Sequence, residues 1–392
     1  MYNEKSLAQV MRRYSQLCAW QPPGFGGIER VAHELALFLA KKQLYNYTYY
    51  LRRSTSAVKA DESKQNTQNK SLLLGNLPIL NHRTTCKLLN SEDTVIFHIP
   101  SVPIFIIMVA HALIAPQAKR YVYWHAFLGY PKNLILDKLA RFYERIVFAF
   151  CAITNTSLIT TSPILANEIR LQNSRLDVHI VSPVLPREAE LKANNQKLTR
   201  PKRQAIGKTY RICYVGRLAT YKRPEWLIDV LPKLPVEIIL EIVGDGPCRK
   251  SLEKKVRDNG LESRVTFHGR IDDETKLRII ADSDVLCLPS YSCNEAFGIV
   301  QLEAMCMGVP PLAFSLERSG VEWVGNIKSL LPFDGINRDN IRDVIIYLHE
   351  HHSLQGQISS YSLTRYRELF CREAWKKCLQ FLIVEPQPGI QQ

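Results

Sequence analysis

The chain has 392 residues, of which 46% are hydrophobic, so it can bury a sizeable core in each of two ordinary domains. Of its formal net charge of +14, residues 1–200 carry +12 (25 Lys and Arg against 13 Asp and Glu) and residues 201–392 carry +2 (26 against 24). Such one-sided positive charge is typical of proteins that bind nucleic acid, an anionic membrane or an anionic substrate, but no recognisable nucleic-acid-binding module is present, so we expect no nucleic-acid partner.

The N-terminal segment, MYNEKSLAQVMRRYSQL, lacks the apolar stretch of a signal peptide. A predicted strand, QLCAW (16–20), is followed by the loop QPPGFGG (21–27) and by the helix IERVAHELALFLAKK (28–42), whose apolar residues recur at helical spacing. Further strands are predicted at DTVIFHIP (93–100), RYVYWHAF (120–127) and SLITTSP (157–163).

Two segments of the first half raise the question of a membrane. The longest apolar run, Val102 to Ala115, has 14 residues, whereas a membrane-spanning helix needs about 20. The segment KNLILDKLARFYERIVFAF (132–150) repeats apolar residues at helical spacing, at Ile135, Leu139, Phe142, Ile146 and Phe150. We favour packing of this face on the helix's own sheet, but a helix lying on a membrane surface would have the same pattern.

The second half repeats a strand and a helix about every 20 to 30 residues, which predicts a parallel sheet covered on both faces. Before it, residues 187–210 are polar, basic and without periodicity, as in a linker. We therefore predict an α/β protein with two doubly wound Rossmann-like domains facing each other across a cleft. Their predicted bounds are 1–200 and 201–365, and residues 366–392 form a C-terminal helix that packs back on the first domain.

The stretch NEAFGIVQLEAMCMGVP (294–310) places Glu295 in a loop and Glu303 in a helix whose first turn is predicted at 297–300. The free amides and the dipole of a helix N-terminus attract phosphate, and carboxylates accept hydrogen bonds from sugar or ribose hydroxyls. Ahead of it, VGRLATYKR places Arg217 and Lys222 after a predicted strand, where two cations can neutralise a diphosphate. Cations placed in this way would stabilise a nucleoside diphosphate as it leaves, so the chemistry requires no metal or cofactor.

Four motifs of the second half resemble one family. VGRLATYKRPEWLI, IVGDGP, VTFHGRI and SDVLCLPSYSCNEAFGIVQLEAMCMGVP, in this order and spacing, resemble the retaining glycosyltransferases of family 4, which have the GT-B fold. The match covers most of residues 210–325. The family members that the chain resembles include enzymes that build bacterial surface polysaccharides. The resemblance implies transfer of a sugar from a nucleotide-diphosphate sugar with retention at the anomeric carbon.

The resemblance also implies roles for individual residues. Arg217 and Lys222 match the diphosphate-binding pair, Glu295 the contact to the donor sugar and Glu303 the contact to the ribose. In the first half, His125 matches a strand-end histidine near the reacting sugar. The implied catalytic residues are His125, Arg217, Lys222 and Glu295, and the implied donor-binding residues are Gly26, Gly27, Arg217, Lys222, Arg270, Ile271, Glu295, Phe297, Gly298, Ile299 and Glu303.

The predicted enzyme is therefore a retaining, metal-independent hexosyltransferase of polysaccharide biosynthesis, with GDP-mannose or a related sugar nucleotide as the favoured donor. The expected acceptor is a glycan or a polyprenyl-diphosphate-linked glycan. Ten singly scattered cysteines favour a reducing cytoplasm, and the basic first half favours peripheral attachment to the anionic inner face of the cytoplasmic membrane. A UDP-sugar-dependent enzyme, a non-catalytic sugar-nucleotide-binding scaffold, and an epimerase or phosphorylase of the same fold remain alternatives.

Overall fold

The structure is a computed structural model, and it describes residues 13–22, 27–52, 69–73, 81–90, 93–130, 133–199 and 209–383. It divides into two compact units. The first comprises Met1–Leu128 with Asn133–Ile180, and the second Gly129–Lys132 with Val181–Gln392. The division by contacts thus falls between Ile180 and Val181, ahead of the linker and of the predicted boundary at residue 200.

The first unit contains a seven-stranded parallel sheet in the order β3-β2-β1-β4-β5-β6-β7. Its order reverses at β1, because the chain moves from β1 to β2 and β3 on one side and then to β4 on the other. The strands are β1 (Tyr14–Trp20), β2 (Tyr45–Arg52), β3 (Asn69–Ser71), β4 (Thr94–Ile99), β5 (Arg120–Trp124), β6 (Ser157–Thr160) and β7 (Val178–Ile180).

Helices connect the strands of the first unit: α1 (Gly27–Lys41), α2 (His82–Leu89), α3 (Val102–Ile114), α4 (Leu134–Ile153) and α5 (Pro163–Gln172). Asn133 caps α4 by accepting a hydrogen bond from the amide of Leu136, and Ser162 caps α5 in the same way. The steps β4 to β5 and β5 to β6 run in the same direction, so the right-handed crossover rule places α3 and α4 on the same face of the sheet.

The second unit contains a five-stranded parallel sheet in the order β10-β9-β8-β11-β12, which reverses at β8. Its strands are β8 (Tyr210–Val215), β9 (Ile238–Val243), β10 (Val265–Gly269), β11 (Val285–Leu288) and β12 (Pro311–Ala313). Its helices are α6 (Arg187–Thr199), α7 (Glu225–Val230), α8 (Arg249–Asp258), α9 (Asp273–Asp282), α10 (Val300–Cys306), α11 (Val321–Gly325), α12 (Ile341–Glu350), α13 (His352–Arg365), α14 (Arg372–Cys378) and α15 (Gln380–Ile383).

The C-terminal residues of the described chain pack within the second unit. Tyr366 and Phe370, in a π-helical turn after α13, lie in its hydrophobic core. The Tyr366 hydroxyl donates a hydrogen bond of 2.8 Å to Glu190 of α6, and the Arg372 guanidinium donates to the carbonyl of Leu185. These contacts hold α6 and the C-terminal helices together, although the sequence suggested a linker over 187–210 and a C-terminal helix on the first domain.

The predicted fold class, α/β with two doubly wound Rossmann-like units, is confirmed. The favoured packing of the helix over 132–150 is wrong. Ile135, Leu139, Phe142 and Ile146 are exposed, whereas α4 buries its opposite face, including Ala140, Glu144, Val147, Phe148 and Cys151. Glu144 is tolerated on the buried face because its carboxylate accepts a hydrogen bond from the amide of Leu128.

Among the described residues, no helix is both long enough and apolar enough to span a bilayer.

Candidate active site

The loops that leave β8 and β9 touch each other through their backbones. The amide of Gly216 donates to Val243, and the amide of Leu218 donates to Asp245, both at 3.0 Å. A Cβ atom on Gly244 would lie 2.0 Å from the carbonyl oxygen of Gly216, and one on Gly246 would lie 2.4 Å from that of Leu218. The glycines of IVGDGP are therefore required for this contact, which fixes the start of the loop that carries Arg217 and Lys222.

Lys222 and Glu295 meet at the reversal point of the second sheet. The Lys222 ammonium forms an ion pair with the Glu295 carboxylate, and the two side chains are only 15% and 10% exposed. Burial lowers the pKa of Lys222 to about 8. The Ser319 hydroxyl donates a 2.6 Å hydrogen bond to the backbone carbonyl of Glu295, and Ser290 Oγ lies 3.5 Å from the carboxylate oxygen that Lys222 contacts. Ser319 thus holds the backbone of Glu295, and Ser290 lies beside its carboxylate.

The loops after β8 and β11 are also joined next to this pair. The amide of Tyr291 donates to the carbonyl of Tyr221 at 3.1 Å. The guanidinium carbon of Arg223 lies 4.2 Å from the centre of the Tyr291 ring, a cation–π contact. Because β8 and β11 are neighbouring parallel strands, their carboxyl ends bring these loops together, and ligands of such sheets bind at this place.

A turn with a required glycine precedes α10. Gly298 has φ +66°, and a Cβ atom there would lie 2.9 Å from Leu288 Cδ1. The buried side-chain amide of Gln301 donates hydrogen bonds to the backbone carbonyls of Phe297 and Val321, and these bonds fix the turn. The helix therefore begins at Val300, three residues later than the first turn predicted at 297–300, because the left-handed residue at 298 ends any helical path before it.

Glu303 lies in the first turn of α10, one turn from its start rather than two. Its carboxylate is almost fully buried and accepts a hydrogen bond of 2.9 Å from the Lys276 ammonium of α9, which also contacts Asp273. Burial lowers the pKa of Lys276, but the two carboxylates outweigh it, so the pKa is raised overall. Glu303 is therefore an ion-paired carboxylate on the helix that follows the turn.

The other residues expected at the donor site lie at strand ends. Arg217 is exposed and follows β8 by two positions; its carbonyl accepts a hydrogen bond from the Tyr214 hydroxyl. Arg270 is exposed and Ile271 is half-buried, and both directly follow β10. The order β10-β9-β8 puts the ends of these strands on one edge, so Arg217, Arg270 and Ile271 share the edge that carries the Lys222–Glu295 pair.

Several supporting residues of the second unit were missed from the sequence. Ser290, Ser319 and Lys276 hold the two glutamates, and nothing in the local sequence distinguishes them from surface residues. Gly129 and Asn294 exchange two hydrogen bonds, of 3.1 and 3.0 Å, across 165 positions of sequence. A Cβ atom on Gly129 would lie 2.5 Å from Cys293 Sγ, so this contact requires glycine.

In the first unit, His125 directly follows β5 and joins a buried chain of hydrogen bonds. His98 Nδ1 lies 2.8 Å from His125 Nε2, and His98 Nε2 lies 2.9 Å from Gln16 Oε1. The Gln16 amide nitrogen donates to the carbonyl of Ala32 and to Thr48 Oγ1, so its oxygen must accept from His98. It follows that His98 carries its proton on Nε2 and accepts at Nδ1 from His125, leaving the Nδ1 lone pair of His125 outside the chain.

Burial keeps both histidines of this chain neutral. It lowers the pKa of His98 to about 3, and burial together with His98 lowers the pKa of His125 well below its usual value. His125 was predicted from the sequence as a site residue, whereas His98 was not. Their contact depends on the register of β4 and β5, which pairs His98 with Tyr123.

Two glycines were expected to close over the donor. Gly26 lies outside the described residues. Gly27 is the first residue of α1, and a Cβ atom there would meet no atom within 4 Å, so packing within the structure does not require a glycine at this position. Within the described part of the chain, no group of three or more His, Cys, Asp and Glu side chains is arranged to hold a metal ion.

Residues 195–363 match the family model described as glycosyl transferases group 1. This segment, which is less than half of the chain, is therefore similar to the group 1 glycosyltransferases. The chain is 29% identical over 235 residues to a sulfoquinovosyl transferase of Arabidopsis thaliana, covering 60% of this chain and 40% of that one. It is 30% identical over 155 residues to a GDP-mannose-dependent phosphatidylinositol monomannoside mannosyltransferase of Mycobacterium tuberculosis, covering 38% and 40%. The chain thus spans less than half the length of these curated relatives.

Among solved structures, this chain is similar to that of Anabaena HepE in complex with UDP-glucose. The TM-score is 0.69 at 15% sequence identity, and the match covers 95% of this chain and 99% of HepE. At this identity the likeness establishes the fold alone. The predicted GT-B fold is therefore confirmed, and residues 195–363 match the glycosyltransferase family that the motifs indicated.

Proposed function

We propose that the protein is a retaining glycosyltransferase that takes a nucleotide-diphosphate sugar as its donor. The observation that carries the proposal is the buried Lys222–Glu295 ion pair at the reversal point of the second sheet. It places a cation and a carboxylate side by side, where a diphosphate and a sugar have to be bound next to each other. The match of residues 195–363 to the group 1 glycosyl transferases supports the same conclusion.

The chemistry follows from the charges. Transfer breaks the bond between the anomeric carbon and the diphosphate oxygen, so negative charge develops on that oxygen. Lys222 and the exposed Arg217 would stabilise this charge, as would the amides of the Phe297–Ile299 turn. Because these groups are fixed by the loop contacts before the donor arrives, they need little reorganisation, and no metal ion is required in the proposed reaction.

The carboxylates would recognise the hydroxyl groups of the donor. Glu295 can accept hydrogen bonds from sugar hydroxyls while Lys222 turns towards phosphate, and Glu303 can accept from the ribose. Arg270 and Ile271, at the end of β10, would line the base. Gly26 and Gly27 of the first unit are proposed to approach the donor phosphates. His125 would use the lone pair on Nδ1 to accept a hydrogen bond from the reacting sugar, a role that its neutral state permits.

Retention fits a front-face reaction, in which the departing phosphate helps to remove the proton of the acceptor hydroxyl. Such a reaction needs only the donor-side groups and no carboxylate nucleophile. The favoured acceptor is a glycan, in particular one linked to polyprenyl diphosphate, in polysaccharide biosynthesis. The +12 charge of residues 1–200 supports an anionic, lipid-linked acceptor at the inner face of the cytoplasmic membrane.

The donor nucleotide is the least constrained part of the proposal. GDP-mannose or a related sugar is favoured, and the similarity to a GDP-mannose-dependent enzyme supports it. UDP-sugars are the second candidate, because the solved structure of similar fold contains UDP-glucose.

A thermal-shift panel of GDP, UDP, ADP and dTDP decides between the donors. A nucleotide at 100 times its Kd stabilises the folded state by about 2.7 kcal/mol, so the cognate diphosphate raises the melting temperature most. A turnover assay with wild type and Glu295→Ala then tests catalysis. A glycoside product made only by wild type supports the transferase. A free sugar epimer as product would instead indicate an epimerase, and a sugar phosphate would indicate a phosphorylase. Nucleotide binding without any product would indicate a scaffold.

A further inference from the structure

Helices α3 and α4 of the first unit expose two rows of large apolar side chains. On α4, Ile135, Leu139, Phe142, Ile146 and Ile153 fall within an arc of about 60° at 100° per residue, opposite the buried face. Ile135 is 72% exposed and Phe142 is 61% exposed. On α3, Val102, Ile106 and Leu113 repeat the same spacing, and Ile106 and Leu113 are 62% and 78% exposed.

The two rows belong to one surface. Both helices lie on the same face of the sheet, and Phe105 of α3 packs edge-on against Tyr143 and Phe150 of α4 at ring-centre distances of 5.9 and 5.6 Å. The apolar rows therefore run side by side, on the outer side of this contact. Exposed apolar patches of this kind mark sites of interaction, because soluble surfaces rarely leave several such residues together in water.

Charge indicates what covers this surface. Lys138, Arg141 and Arg145 are exposed and occupy the arc of α4 next to its apolar row. Residues 101–155 contain six Lys and Arg against two acids, a net charge of +4, and one residue of each sign, Arg120 and Glu144, is buried. Arg141 forms an ion pair with the other acid, Asp137. A second copy of the chain related by a two-fold axis would bring these cations against each other, whereas anionic headgroups would neutralise them.

The surface lies near the edge of the first sheet at which the acceptor is proposed to bind. The first turn of α3 follows the carboxyl end of β4, and the exposed residues Leu134, Ile135 and Leu136 form the first turn of α4. These turns lie towards the edge of the sheet at which His125 ends β5. A lipid layer on the apolar rows would therefore present its headgroups near the side of the first unit where the acceptor is proposed to bind.

We propose that the exposed rows of α3 and α4 bind an anionic lipid bilayer, lying in its interface with the apolar side chains between the headgroups. Neither helix crosses the bilayer. Helix α3 has 13 residues and would be about 20 Å long against an apolar core of about 30 Å. Helix α4 has 20 residues but contains five charged side chains, so it is not apolar enough to span. The proposal deepens the proposed function, on which it rests for the lipid-linked acceptor.

Vesicle sedimentation of the full chain tests the inference. Vesicles of equal parts phosphatidylglycerol and phosphatidylcholine should retain the wild type, and phosphatidylcholine alone should retain it less. The variant L139S/F142S/I146S should lose about tenfold or more in partitioning, since each change removes several buried carbon atoms. Lys138→Gln with Arg145→Gln should weaken binding only to the anionic vesicles and make it less sensitive to salt.

The matched control removes exposed apolar residues elsewhere, with Val236→Ser and Leu191→Ser in the second unit. It should bind vesicles as the wild type does. Equal retention of the triple variant and the control would overturn the proposal, as would a wild type that ignores both vesicles and sediments as a dimer that the triple variant abolishes. The nucleotide thermal shift of the triple variant should equal that of the wild type, so failure of donor binding remains distinguishable from failure of membrane binding.

Discussion

The Lys222 ammonium contacts the Glu295 carboxylate although 73 positions separate the two residues in sequence. Each follows a different strand, β8 or β11, and the pairing of these strands brings the two loops together. The pair joins the cation expected to hold a diphosphate to the carboxylate expected to hold a sugar. When a donor binds, each partner would exchange part of this contact for the ligand, so the pair keeps both groups charged and in place beforehand.

The ion pair should show strong energetic coupling. Lys222→Met leaves the buried Glu295 carboxylate without its cation, and we expect a loss of about 3 kcal/mol in the free energy of unfolding. Glu295→Gln should also destabilise the protein. The double variant should lose less than the sum of the single losses, with a coupling of about 1–3 kcal/mol in urea unfolding. Glu253→Gln, which breaks the more exposed pair with Arg249, should leave the free energy of unfolding nearly unchanged. Additive effects at 222 and 295 would contradict the pairing.

The pH dependence of activity should report the same lysine. Burial lowers the pKa of Lys222 to about 8, and only the protonated form can neutralise a diphosphate. We therefore expect kcat/KM to be highest below this pH and to fall tenfold per pH unit above it. In Lys222→Arg, whose guanidinium stays charged, the fall should move to higher pH even if the rate is lower. If kcat/KM of the Lys222→Arg variant falls at the same pH as that of the wild type, the group that titrates is not Lys222.

Much of this site was predictable because its residues lie at the ends of strands. Short runs of β-branched and apolar residues identified β8 and β11. The charges that follow these runs, together with the family resemblance, led to Lys222 and Glu295. The start of α10 was placed too early, because the left-handed turn at Gly298 depends on packing against Leu288 from another strand. Ser319 and Lys276 contact Glu295 and Glu303 from distant positions in the sequence, so no local pattern predicts these contacts.

Amphipathic spacing alone also could not predict which face of α4 is buried. The pattern of Ile135, Leu139 and Phe142 predicted an apolar face correctly, but the opposite face, which contains Phe148 and the polar Glu144, is the one that is buried. A hydrogen bond to the amide of Leu128 makes that glutamate acceptable inside. Periodicity shows that a helix has an apolar side; the tertiary structure determines which side is covered.

The hydrogen-bond chain of the first unit should be visible by NMR. Because Gln16 Oε1 accepts from His98, both His98 and His125 are expected as neutral Nε2–H tautomers. Long-range ¹H–¹⁵N spectra of the imidazole rings distinguish the two nitrogens directly. In Gln16→Leu the acceptor is lost and His98 should change tautomer or lose its single state, while Arg170→Leu, on the far helix α5, should leave the pattern unchanged. Nδ1–H signals for both rings in the wild type would contradict the chain.

The same histidines should make the protein sensitive to acid. The folded-state pKa of His98 is about 3, below its ordinary value of about 6.5. The unfolded chain therefore binds a proton that the folded chain does not, so the stabilisation is complete above pH 6.5 and is lost as the pH falls towards 3. At pH 5 the loss should be about 2 kcal/mol for this residue. Urea unfolding at pH 7 and pH 5 measures it, and His98→Gln should flatten the dependence; an unchanged slope in that variant would show that other groups cause it.

Two glycines of the proposed donor site provide a matched pair of substitutions. Gly298→Ala should destabilise the protein by about 1–3 kcal/mol, because φ is +66° and the new Cβ would lie 2.9 Å from Leu288 Cδ1. Gly27→Ala adds a methyl group with no atom within 4 Å at the first position of α1, so the melting temperature should be unchanged or slightly higher. The two variants then separate structure from function. If the backbone at residue 27 approaches the donor phosphates, Gly27→Ala should raise KM for the donor without loss of stability, whereas wild-type kinetics would remove this residue from the donor site.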